Sequence, residues 1–104
     1  MSAGRSLDTL GLADFAPHVG RSFRLGRPEG STLELVLVEA TPHPHLPPAP
    51  GRRRGFSLVF RSGVPVPLPQ AIYRLDHDAL GALELFLVPI GPRDGGMCYE
   101  AVFN

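Results

Sequence analysis

Glycine and proline interrupt this chain so often that no helix or strand in it is expected to be long. The sequence contains 12 glycines and 12 prolines in 104 residues. Glycine favours turns with positive φ, and proline lacks the backbone N–H that a helix interior or a central strand requires. Between these residues, apolar side chains mostly recur at every second position, which is the period of a strand. The pattern predicts an all-β domain of short strands joined by turns.

Six segments have the strand pattern. The strongest, TLELVLVE, places three leucines on one face and Glu34 with two valines on the other. The segment GVPVPLP at 63–69 carries three prolines and is predicted to be an extended edge or a loop. Short connections between successive strands favour an antiparallel meander. The predicted strands are residues 22–25, 32–39, 56–61, 71–77, 82–88 (closed by Pro89) and 97–103.

Only the segment before the first strand has helical spacing. Leu12, Phe15 and Val19 recur at intervals of three and four residues, so they are predicted to share one face of a short helix. Pro17 and Gly20 limit this helix to a turn or two, covering one end of the sheet.

The chain length has room for one core. Residues 1–6 are predicted to be disordered, and residues 7–104 are predicted to form a single β domain. Cys98, the one cysteine, excludes an internal disulfide and is expected inside a strand as a small apolar side chain.

Several strands are apolar on both faces. A sheet of this kind must close into a barrel, pack as a sandwich or be covered by a partner. We therefore predict about six antiparallel strands in a barrel or sandwich, with coverage by a protein partner or a second copy as the competing solution. The apolar residues of the second face are Val36, Val38, Phe86, Val88 and Val102. Phe86, Val88 and Val102 are the candidate contact residues for a partner.

Charged residues share this second face. Neighbouring strands would set Arg74 beside Glu84 and Glu84 beside Glu100 as cross-strand pairs. The same residues fit either a solvated face or an Arg/Glu binding surface.

The charge balance argues against two classes of partner. Ten basic and ten acidic residues give no net charge, so there is no general attraction to nucleic acid or to a membrane surface. No secretory signal is recognisable, and no stretch approaches the roughly 18–20 apolar residues of a membrane helix. A cytoplasmic location is expected.

The segment TPHPHLPPAPGRRRG, residues 41–55, is unusual in its proline and arginine content. It is predicted to be a loop insertion, either a tolerated one or a pre-extended recognition arm. Arg52, Arg53 and Arg54 are candidate contacts for phosphate or an acidic protein. His43-x-His45 has no carboxylate or cysteine within the loop, so no metal site is expected.

Enzyme signatures are absent from the sequence. There is no glycine-rich phosphate loop, no G-x-S-x-G and no H-E-x-x-H. A possible acid–base group consists of His77, Asp76 and Glu100, but no motif links a nucleophile to it. We expect no catalytic residue and no cofactor.

The C-terminal half has a recognisable pattern. The segments IYRLDH (72–77), ALGALELFLVPIGP (79–92) and MCYEAVFN (97–104), with the leader LADFAPHVG (12–20), resemble a family of uncharacterised small bacterial all-β proteins. Asp78 stands where the family pattern has proline, which changes a turn and no known catalytic residue. The resemblance implies an assembly or accessory role near phage-tail-like or fibre proteins.

These observations lead to a non-enzymatic interaction or assembly domain as the expected function. A small-ligand-binding β-barrel is the alternative, although the chain has no tryptophan for stacking on sugars.

Overall fold

The computed structural model describes residues 10–27, 29–43, 55–65 and 67–103, and it shows a closed barrel of six antiparallel strands. The predicted fold class is therefore confirmed. The predicted disorder of residues 1–6 and the three loop arginines, Arg52, Arg53 and Arg54, lie outside the described residues. The strands are β1 (Ser22–Gly26), β2 (Thr32–Pro42), β3 (Phe56–Ser62), β4 (Ala71–His77), β5 (Gly81–Arg93) and β6 (Gly96–Phe103).

The strand order around the barrel is β1-β2-β3-β6-β5-β4. Successive strands pair within each half, β1 to β3 and β4 to β6, as a meander predicts. The halves are joined out of sequence, because β3 pairs with β6 and β4 returns to pair with β1. The proline-rich segment after β3 explains the departure, since it lacks the N–H donors with which a neighbouring strand would pair.

That proline-rich segment crosses the barrel from one wall to the other. In the six-membered ring of strands, β3 and β4 lie opposite each other, so the link between them, described at 63–65 and 67–70, connects opposite walls at the lower end, where β1 and β3 finish. Two tyrosines anchor it. The N–H of Leu68 donates to the Tyr99 hydroxyl at 2.9 Å, and the Tyr73 hydroxyl donates to the Pro69 carbonyl at 2.6 Å.

The inward-facing side chains fill the barrel. Alternate residues of every strand point to a single core, as expected for a barrel of this size. Cys98 lies buried in β6 as predicted. The fully buried core side chains include Phe23, Leu25, Leu35, Leu37, Phe56, Leu58, Phe60, Leu75, Leu83, Leu87 and Tyr99.

A short helical segment covers the upper end. Helix α1 (Leu12–Phe15) continues into a 3-10 turn at Ala16–His18, and Asp14 Oδ2 accepts the Gly11 N–H at 2.8 Å. Phe15 is fully buried, with its ring 5.9 Å from that of Phe56 and 5.5 Å from that of Phe103. The prediction that Val19 shares this face is wrong. The change to 3-10 geometry at Ala16 ends the α-helical spacing, and Val19 is 44% exposed.

Strand β5 is longer than the sequence predicts. Pro89 does not end it, because a register shift between Pro89 and Gly91 absorbs the missing N–H and the strand continues to Arg93. Gly91 has a φ of 128°, a conformation that suits glycine.

The register tests the two predicted charge pairs. Arg74 and Glu84 are Cα partners, as predicted, although the ion pair of Arg74 is with Asp76, at 3.2 Å. The pairing of Glu84 with Glu100 is wrong. The β5–β6 register sets Val88 opposite Glu100, so Glu84 lies four residues further along β5.

Candidate functional site

The barrel wall formed by β4, β5 and β6 carries an exposed apolar strip, which we call the outer strip: Ile72, Phe86, Val88 and Val102. Ile72 and Phe86 are Cα partners on adjacent strands, 67% and 51% exposed. The register that pairs Val88 with Glu100 brings Phe86 alongside Val102 two residues further on, and Val102 is 53% exposed. Large apolar side chains clustered in this way mark interaction sites more often than isolated ones do.

The sequence predicted three residues of the outer strip. Phe86 and Val102 are exposed and Val88 is half-buried, all on the outer face. Ile72 was missed as a contact residue, although it is the most exposed of the four. The alternation of IYRLDH already separated Ile72 from the buried Leu75. The sequence pattern could not show that β4 pairs with β5, and it is this pairing that brings Ile72 beside Phe86.

Next to the outer strip, the barrel closure is incomplete. Strand β1 meets β4 through two residue pairs, Arg24 with Asp76 and Leu25 with Leu75, and ends at Gly26. On that side, no residue of β4 from Ala71 to Arg74 is paired with a strand among the described residues. We call this stretch of β4 the seam. A groove of about 620 Å³ runs along it, lined by Gly26, Arg27, Ala71, Ile72, Tyr73 and Arg74.

Two arginines border the seam. Arg27 Nη1 is 3.8 Å from Glu29 Oε2, a long contact, and Glu29 is also held by the Ser31 hydroxyl at 2.7 Å. Within the described part of the chain, the Nε of Arg27 is a buried donor with no acceptor. Arg74, at the other side of the groove, makes its 3.2 Å contact with Asp76 while remaining largely exposed.

Tyr73 forms part of the floor of the groove. Burial raises the pKa of Tyr73 above its ordinary value, and the nearby Tyr99 raises it further. The hydroxyl is therefore a protonated donor at neutral pH, and it holds the Pro69 carbonyl at 2.6 Å.

A second concave region, the upper cleft, lies beside the helical segment. It has a volume of about 330 Å³ and is lined by Pro17, His18, Arg21, His77, Asp78 and Ala79. The rings of His18 and His77 meet edge to face with centroids 4.4 Å apart. Asp78 Oδ1 accepts a hydrogen bond from Arg24 at 3.0 Å, so its charge is compensated.

The surroundings of His77 favour its neutral form. Its Nδ1 accepts the N–H groups of Ala79 and Leu80, at 3.0 and 3.2 Å, which places the ring proton on Nε2. Burial lowers the pKa of His77 below its ordinary value, and the neighbouring His18 lowers it further. Asp78 acts in the opposite direction, whereas Arg24 and Arg21 add to the lowering.

The predicted acid–base group is not assembled. Asp76 pairs with Ala82 on β5, whereas Glu100 pairs with Val88, six residues away along the same strand. At about 3.3 Å per residue, this separates them by about 20 Å, beyond hydrogen-bond reach. His77 and Asp76 also point to opposite faces of β4, since His77 is buried and Asp76 pairs with Arg74 outside.

The loop candidates are described in part. Thr41 and Pro42, predicted as loop, end strand β2, and His43 Nε2 lies 2.6 Å from the Ser57 hydroxyl. His45 lies outside the described residues. In the ranges that are described, no group of three or more His, Cys, Asp and Glu side chains is placed to hold a metal ion. No helix in those ranges is long and apolar enough to cross a membrane.

Comparison with known proteins gives one match. Neither the curated proteins nor the solved structures searched contain a match to the chain. A family model for a domain of unknown function, DUF6916, matches residues 10–103 and so covers the helical segment and all six strands. The chain belongs to the DUF6916 family, whose function is unknown.

Proposed function

We propose that this domain is a non-enzymatic interaction module that binds another protein chain through the outer strip. The observation that carries the proposal is the grouping of Ile72, Phe86 and Val102, each more than half exposed, on adjacent strands of a barrel whose core is complete without them. Water contact with these side chains is unfavourable by about 25 cal/mol per Å² of apolar surface, so covering them favours association.

The biological setting is a further part of the proposal. We place the domain as an accessory of a phage-tail-like or fibre assembly in a bacterium, with a cytoplasmic location before assembly. The support for this setting is the resemblance of the LADFAPHVG leader and the C-terminal pattern to small bacterial proteins.

The experiment is site-specific photo-crosslinking in the native host. A photoreactive phenylalanine analogue at position 86 is expected to give a discrete crosslinked species, which disappears when Ile72→Ser is added. The same analogue at Val19, exposed but outside the outer strip, is the matched control and should give none. A protein that stays uncrosslinked at position 86, and strictly monomeric by light scattering over a dilution series, would contradict the proposal.

The ligand-binding alternative draws its support from the upper cleft. The barrel interior is filled by fully buried apolar side chains. In the upper cleft, Arg21 and the Nε2 proton of His77 are donors suited to a small anion. Titration with acetate and with phosphate, followed by the NMR signals of His18 and His77, tests it. Unchanged signals at millimolar concentration would exclude this alternative.

A further inference from the structure

The seam exposes backbone as well as side chains. In an antiparallel sheet, successive residues of a strand direct their N–H and C=O groups to opposite neighbours. Of the four seam residues from Ala71 to Arg74, two bond to β5, which is paired with all four. The other two direct their N–H and C=O groups towards the β1 side, where the β1–β4 pairs end at Leu25 and Leu75. The seam therefore offers backbone N–H and C=O groups to an incoming strand.

The seam is long enough for a short strand. Four residues of extended chain span about 13 Å. An incoming strand would lie where a longer β1 would have continued, beyond Gly26 and along β4. Its outward-facing side chains would meet Ile72, which is 67% exposed, and so would extend the outer strip by one strand.

The positive charges around the groove favour an acidic side chain on the incoming strand. Arg27 and Arg74 line it, and the Nε of Arg27 has no acceptor among the described residues. Glu29 lies 3.8 Å from Arg27, a long contact, and Asp76 accepts a hydrogen bond from the Nε of Arg74 at 3.2 Å, while Arg74 remains 62% exposed. A carboxylate on the incoming strand would lie in a groove lined by two arginines, whose guanidinium groups are good carboxylate partners.

We propose that the seam is a strand-addition site, which takes an extended segment of a partner protein with apolar side chains at alternate positions and one carboxylate facing Arg27. This inference rests on the proposed function and names how the partner binds. Backbone hydrogen bonds to β4 supply affinity, and Ile72 with the two arginines supplies selectivity, as in other cases of strand addition to a sheet edge.

The test begins with selection of a probe. The whole chain is used to select binders from a yeast-displayed library of random peptides, and the tightest peptide is synthesised as the probe. We expect selected peptides to alternate apolar and polar residues and to share an acidic position. On binding, two of the four amides from Ala71 to Arg74 should become protected from hydrogen exchange. Absence of enriched peptides, or protection confined to another surface, overturns the proposal.

An N-methyl scan of the probe separates strand addition from simple apolar contact. Methylation of an amide that faces β4 removes a backbone hydrogen bond and should weaken binding about tenfold or more. Methylation one residue along alters an amide that points away and should change affinity little. The loss of affinity on N-methylation must therefore alternate along the probe with a period of two residues. A scan without this alternation refutes strand addition.

Three variants locate the contacts. Arg27→Gln should reduce affinity for the acidic probe several-fold and leave unchanged its affinity for the probe with that acid replaced by its amide. Arg93→Gln, an exposed arginine that pairs with Glu39, is the matched control. Val102→Ser tests the outer strip separately, with the photoreactive analogue kept at position 86. If it abolishes native crosslinking while no peptide binds the seam, the proposed function stands and strand addition fails. If the seam amides are protected in a dimer without peptide, the strand that binds the seam comes from a second copy of this chain. That result would also overturn the inference.

Discussion

At the scale of single residues, His77 links protonation to stability. Its Nδ1 accepts two backbone N–H groups, and its ring packs against Phe23 and His18, with centroids 4.4 Å away in each case. Protonation would remove the acceptor and place a charge in a largely buried site. The pKa of His77 is accordingly lowered in the folded state, chiefly by burial.

This pKa shift predicts loss of stability on acidification. Because the unfolded chain binds the proton more tightly than the folded one, the free energy of unfolding should fall as pH drops below about 6.5. His77→Asn keeps an acceptor near the Nδ1 position and removes the titration. Urea unfolding from about pH 8 to about pH 5 should show a smaller loss for the variant than for the parent chain. Equal losses would show that His77 is not responsible.

A second residue-scale prediction concerns Gly96. A Cβ added there would collide with the Ser62 carbonyl on β3, and this neighbour is backbone, which cannot rotate away. Gly96→Ala is expected to destabilise the fold by about 3 kcal/mol or more. Gly63→Ala is the matched control, because a Cβ there meets nothing within 4 Å, and it should change stability by less than about 1 kcal/mol. Chemical denaturation measures both, and equal stabilities would contradict the close approach.

At the scale of elements, period-two alternation was sufficient to find all six strands. It worked because each strand has one face in the core, as Leu35 and Leu37 show in β2. It did not give the ends of β5, since Pro89 is a usual terminator and only the paired strand β6 reveals the bulge that carries the chain past it. It also did not give the seam, because the length of β1 relative to β4 is a property of two strands that are distant in sequence.

The crossing segment between β3 and β4 is held by a buried hydroxyl. Tyr99, 1% exposed, accepts the Leu68 N–H, so Tyr99→Phe leaves that donor unsatisfied and should cost about 1–3 kcal/mol. Tyr73→Phe removes the more exposed contact with Pro69 and should cost less than about 1 kcal/mol. Thermal unfolding of the two variants tests this order. A reversed order would show that Tyr73 is the stronger anchor.

At the scale of the whole molecule, the ladders around the barrel differ greatly in extent. Strands β3 and β6 pair from Phe56–Phe103 to Arg61–Cys98, whereas β1 and β4 share two pairs. A barrel has no free edge only if every ladder is complete. Here one ladder stops halfway, and the resulting open stretch of β4 includes Ile72 of the outer strip. Because β1 and β4 pair at so few residues, the barrel is weakly closed between them. The same unpaired stretch of β4 provides the groove for a partner strand.

This inequality predicts where the barrel opens first. Amides in the β1–β4 ladder should exchange with solvent through local opening, and those in the β3–β6 ladder only through global unfolding. The double variant Arg24→Cys/Asp76→Cys places two thiols at a directly paired position, where Cα separations of about 4.5–5.5 Å permit a disulfide. Oxidation should slow exchange in β1 and β4 towards that of the global core, and the reduced form of the same protein is the control. If β1 is already as protected as β3 in the parent chain, the closure is not the weak ladder. Because the crosslink leaves Ala71 to Arg74 uncovered, the oxidised protein should still bind the selected peptide with its seam amides protected.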